Sequence, residues 1–140
     1  FTFGAPLAAA TAVIASVTFS TQERTGWGHV LANTKITNTT NFTSIVGENG
    51  LSAKSEAGGQ GILQVLEPVL ASDTYVVKIQ DAPNDSSWAD LITFVALDGS
   101  AIGSEMLEVS GDVDKDVRAQ ATRTGAAAQS FTLAVGWLRY

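Results

Sequence analysis

Tyr75-Val76-Val77-Lys78-Ile79-Gln80 opens the segment on which the fold of this chain turns. Tyr75, Val77 and Ile79 alternate with Val76, Lys78 and Gln80, and a period of two puts the first set on a buried face and the second toward solvent. Asp81-Ala82-Pro83-Asn84-Asp85-Ser86-Ser87 then gathers residues that cap, turn or cannot pair in a ladder. Trp88 follows, and Leu91-Ile92-Thr93-Phe94-Val95-Ala96 reads as the returning strand. The expectation is a β-hairpin with Trp88 lying across its open end as part of the core, since one indole buries a large area. Truncating such a residue would cost about 3–5 kcal/mol.

Outward from this hairpin the same grammar repeats. Upstream, Val13, Ala15, Val17 and Phe19 alternate with Ile14, Ser16, Thr18 and Ser20, and the β-branched content favours strand. Gln22 to Gly26 is a polar turn, and Asn33 to Ser44 is a Thr/Asn-rich tract that reads as a linker or edge strand. Asn49-Gly50 and Gly58-Gly59-Gln60-Gly61 punctuate the chain before the apolar run Ile62 to Leu66, which Pro68 ends or places at an edge. Downstream, Met106 to Val109, Val117 to Thr122 and Phe131 to Trp137 are further strands, separated by turns at Asp98-Gly99, Gly111 to Asp116 and Gly125 to Gln129. No stretch carries a helical period. Short strands between Gly, Asp and Pro turns predict an all-β fold, an antiparallel β-sandwich or barrel-like domain. Residues 1–46 read as an extended N-terminal arm, a strand and a linker, and residues 47–140 as the sandwich.

Composition narrows the function classes. The 140 residues are 45% hydrophobic, enough for one domain with a core. There is no cysteine, which excludes disulfides and thiolate metal sites. Eight basic residues against 14 acidic ones give a charge of -6, and the basic ones are scattered, so recognition of a nucleic-acid backbone is not expected. No apolar run approaches the roughly 20 residues of a membrane span. Leu7 to Ala15 has the length of a signal-peptide core but lacks a basic start, and Phe1 is not an initiator methionine, which favours a piece of a longer protein.

Chemistry is sparse. Asp112, Asp114 and Asp116 have the spacing that opens an EF-hand, but that loop needs Gly at its sixth position and Glu at its twelfth, where this chain has Val117 and Arg123. The triplet therefore reads as a solvated turn, with a looser, weaker cation site as the alternative. The single histidine, His29, stands beside Gly28 and reads as a structural residue, with no Gly-x-Ser-x-Gly elbow to serve. Asn38-Thr39-Thr40, Asn41-Phe42-Thr43 and Asn84-Asp85-Ser86 match the glycosylation pattern by chance in so Asn- and Thr-rich a chain. No catalytic, cofactor-binding or metal residue is expected, and no enzyme.

The ordered set Gly58-Gly59, Val76-Val77-Lys78-Ile79-Gln80-Asp81 and Ser87-Trp88-Ala89-Asp90-Leu91-Ile92-Thr93-Phe94 resembles the C-terminal part of tail tube proteins of long-tailed bacteriophages (siphophages). Glu105 to Gly111, Val117-Arg118-Ala119 and Phe131 to Gly136 continue the likeness in order, while Pro83 departs from the proline-free loop of that family. The resemblance implies a virion structural protein, a tail tube subunit or a fragment of one, assembling with copies of itself and with other virion proteins. Two alternatives share the fold: a capsid decoration protein using Phe1 to Ala10 as a sticky arm, and a carbohydrate-binding module for host attachment. The second needs one of Trp27, Trp88 and Trp137 to present an open ring; the expectation is that all three are core.

Overall fold

The period-two alternation becomes eight strands in a computed structural model that describes residues 28–42, 54–67, 73–98, 103–125 and 130–140. They are β1 (His29–Ile36), β2 (Thr40–Asn41), β3 (Gly59–Val65), β4 (Asp73–Ala82), β5 (Ala89–Thr93), β6 (Gly103–Val109), β7 (Asp116–Gly125) and β8 (Phe131–Arg139). The arm Phe1 to Ala10, the strand at Thr11 to Thr21, Trp27, the Asn49-Gly50 turn and Pro68 lie outside the described residues. No helix occurs among the described residues. Two four-stranded sheets form, ordered β1-β8-β3-β6 and β2-β7-β4-β5, with every pairing antiparallel. The protein is an all-β, antiparallel sandwich. The first 41 residues supply one edge strand to each sheet, β1 beside β8 and β2 beside β7.

The core is the space between the sheets. Phe131, Leu133, Val135 and Trp137 of β8 and Leu63 and Val65 of β3 meet Tyr75, Val77 and Ile79 of β4 and Val117, Ala119 and Ala121 of β7. Each is the inward member of its alternation, so the pattern in the sequence and the buried face coincide. The Tyr75 and Phe131 rings cross the two sheets with centroids 4.4 Å apart and planes tilted by 57°, a favoured aromatic geometry.

Three expectations change in detail. Asp81 and Ala82 are buried members of β4 rather than loop, because their backbones still pair with Val117 and Asp116 of β7. The loop proper is Pro83 to Ser87, where the Asn84 side-chain oxygen accepts from Ser86 Oγ and the Ser87 N–H and closes the turn. The returning strand starts earlier and ends sooner, at Ala89–Thr93, although Phe94 remains buried and its N–H donates to Val77 at 3.0 Å. Gly59 and Gly61 are strand residues, not a turn. A Cβ on Gly59 would press into the Trp137 ring and lie 2.6 Å from the Leu138 carbonyl oxygen. On Gly61 it would lie 2.6 Å from Ile79 Cδ1, so both glycines make room for the opposing core.

Candidate functional site

The outer face of the second sheet is polar and tied together. Lys78 Nζ donates to Asp90 Oδ2 at 2.5 Å, Gln80 Nε2 donates to Asp90 Oδ1 at 2.7 Å, and Arg118 Nε donates to Gln80 Oε1 at 3.0 Å. The register dictates the chain of contacts, since Gln80 stands opposite Asp90 on β5 and opposite Arg118 on β7. The Lys78 hydrogen bond, then that of Gln80, holds the Asp90 carboxyl below its ordinary pKa.

Trp88 belongs to this face. It is half-buried, and the Arg118 guanidinium carbon sits 4.1 Å from the centre of its ring. The expected closure of the hairpin core by Trp88 is therefore corrected: the turn releases the indole on the side of the sheet away from the core, where a cation stacks on it. Ile92 and Phe94 cover the apolar face in its place. Trp137 is the core tryptophan, 1% exposed, and its indole N–H finds no acceptor among the described residues.

At one end of the sandwich a second group of ionisable residues gathers. Asp81 Oδ2 accepts the Asp114 N–H at 2.7 Å, and Arg139 donates through Nη2 to the carbonyls of Asp114 and Lys115. Burial, the leading cause, raises the Asp81 pKa, and the Asp114 N–H works against it. Asp112, Asp114 and Asp116 do not share an environment. Asp112 is exposed and paired with Lys54, Asp114 is half-buried, and Asp116 is fully buried at the start of β7. Among the described residues no three His, Asp or Glu groups converge as metal ligands would. His29 is half-buried in β1 opposite Trp137. At the other end Arg123 Nε donates to the buried Asp73 at 2.8 Å, and its Nη1 reaches Thr37 and Asn38 beyond β1, which links the two sheets.

The first sheet differs from the second. Both of its outermost strands are long, β1 with eight residues and β6 with seven, and each pairs on one side only among the described residues. Its outer face carries a row that crosses all four strands: Val30 pairs with Gly136, Gly136 with Ile62, and Ile62 with Met106. Val30 is 69%, Ile62 38% and Met106 61% exposed. A bulge between Val30 and Ala32 sets this register and turns Val30 outward. Sequence reading did not find the row, because three apolar residues on three strands look scattered until the register aligns them. The available signal was Gly136 and Met106 standing at outward positions of alternating strands.

No family model and no curated protein matches the sequence. Among solved structures the fold is similar to a chain in the structure of infectious bursal disease virus, Gx strain, at 10% identity and a TM-score of 0.42. The likeness covers 79% of this chain, which spans 30% of the length of that one. At this identity and score it carries no argument about function.

Proposed function

We propose that this chain is a structural protein of a virion, a phage tail tube subunit or part of one, that works by contact with copies of itself along the edges of its first sheet. The observation that carries this reading is the pair of long one-sided edge strands, β1 and β6, on opposite sides of one sheet. An edge strand offers a row of backbone donors and acceptors to a neighbouring strand. The two edges differ in sequence, so pairing β1 of one copy with β6 of the next is head-to-tail and generates rings, or helical tubes when the rotation does not close. Their charges are opposite in tendency: β1 carries Lys35, and β6 carries Glu105 and Glu108. Self-assembly of this kind needs no catalytic group, cofactor or metal, and the chain is proposed not to be an enzyme.

Electron microscopy of the purified protein, alone and with its virion partners, tests this directly. Rings or tubes are expected, and Glu105→Lys with Glu108→Lys should suppress them most at low salt. A protein that stays monomeric under all these conditions would sink the proposal.

One observation favours a carbohydrate-binding role as a second reading. Trp88 is half-exposed and stacked by Arg118, which in turn bonds Gln80 of the Gln80–Asp90–Lys78 network, so an aromatic ring adjoins a polar face. Quenching or shift of tryptophan fluorescence by members of a glycan panel, lost in Trp88→Ala, would support it. Fluorescence indifferent to every glycan would dismiss it.

A further inference from the structure

We infer that the outer face of the first sheet is a self-complementary surface that packs face to face on a second copy of this chain, a contact separate from edge pairing. The row Val30–Gly136–Ile62–Met106 has a shape that suits its own reversal. A two-fold axis lying between the faces and running along the strands exchanges β1 with β6 and β8 with β3. It sets the protruding Ile62 of each copy over Gly136 of the other, where no side chain stands in the way, and sets Val30 opposite Met106. An axis along the row would instead stack Ile62 on Ile62, so the recess at Gly136 selects the first arrangement.

The flanking row agrees with this choice. Asn33, Ala134, Gln64 and Ser104 lie side by side across the strands. Under the same axis Asn33 meets Ser104 and Gln64 meets Ala134, so no charge is buried. Electrostatics points the same way. The chain carries -6 overall, yet between the Lys35–Glu67 pair at one end and Glu108 at the other this face presents no ionisable side chain among the described residues. Two acidic copies can meet on it without setting carboxylates against one another. Four strands about 4.8 Å apart and seven residues at about 3.4 Å each give a face of roughly 19 by 24 Å. Two such faces bury about 900 Å², the size of a weak, reversible contact and smaller than a permanent dimer interface. Aligned packing of twisted sheets accommodates the geometry.

The absence of native cysteine makes thiol-specific cross-linking of the chain clean. Val30→Cys and Met106→Cys alter exposed side chains and leave the fold intact. Mixed and treated with a bismaleimide spanning about 10 Å, the spacing of packed sheets, the two variants should give a cross-linked dimer in several-fold excess over either variant alone, since like positions sit roughly 17 Å apart across the axis. Ile62→Lys, two strands in from the edge at β1 and one in from β6, should abolish that cross-link. So should Gly136→Gln, whose Cβ has room (its nearest contact is His29 O at 3.8 Å) and whose side chain fills the recess. Equal cross-linking of Val30→Cys with itself, or no cross-link in the mixture, overturns the inference. A cross-link that survives Ile62→Lys and Gly136→Gln also overturns it, because edge pairing would then have produced the contact.

Discussion

Replacing each described tryptophan by alanine separates core from surface in a way that charge or composition cannot. Trp137 is the largest fully buried side chain among the described residues, on a central strand of the first sheet, with its ring against the Cβ-less Gly59. Truncation leaves a cavity walled by paired strands that cannot collapse, so Trp137→Ala should cost about 3–5 kcal/mol. Domains of this kind hold only about 5–15 kcal/mol in all. For a chain of this size each kcal/mol moves the midpoint by roughly 3–4 °C, so a fall of about 10–20 °C is expected. Trp88→Ala loses a cation–π contact worth about 0.5–1 kcal/mol and some half-buried area, about 1–2 kcal/mol together. Trp137→Phe should fall between wild type and Trp137→Ala, because it keeps most of the ring and removes a buried N–H that has no acceptor among the described residues. Urea and thermal unfolding followed by far-ultraviolet circular dichroism reads all three. If Trp88→Ala loses as much as Trp137→Ala, Trp88 is a core residue after all and the assignment of its face is wrong.

Arg123→Met should cost about 3 kcal/mol in urea unfolding, since it removes the cation paired with the buried Asp73 carboxylate and cuts the link to Thr37 and Asn38; a loss under about 1 kcal/mol would refute a large role for this pair. Gly58→Ala should destabilise by at least about 1–2 kcal/mol, because Gly58 has φ +82° and a Cβ there would collide with the Val109 carbonyl; an unchanged melt would refute this. Two carboxylates should respond oppositely to pH. Burial raises the Asp81 pKa, so its stabilising contribution is full below its ordinary value of about 3.9 and is lost as pH rises through the folded value. Asp81→Asn should flatten that decline in urea midpoints measured from pH 3 to 7. Asp90 is held low by Lys78 and Gln80, so its contribution is present above the ordinary value and is lost as pH falls through the folded one. Lys78→Met should remove much of that acid-side loss, and an unaltered pH profile would count against the Lys78 contact.

The alternation of Tyr75, Val77 and Ile79, and of Phe131, Leu133, Val135 and Trp137, was by itself enough to identify an antiparallel all-β fold, sandwich or barrel, and to name much of its core. That works because side chains on a strand point to opposite faces whatever the strand pairs with. Val117 and Arg123, at the sixth and twelfth positions counted from Asp112, likewise ruled out an EF-hand from the sequence alone. What the alternation does not contain is the partner. Nothing local says that β8 lies between β1 and β3, or that Asp81 and Ala82 still find backbone partners in β7 past the point where the sequence looks like loop. The side on which a loop residue such as Trp88 emerges depends on a turn whose geometry its own residues only partly set, and Arg118, 30 positions along, decides what the ring touches. The apolar row across the first sheet exists only through register: Val30, Ile62, Met106 and Gly136 become neighbours because four strands align them, a long-range fact that periodicity within one strand cannot carry.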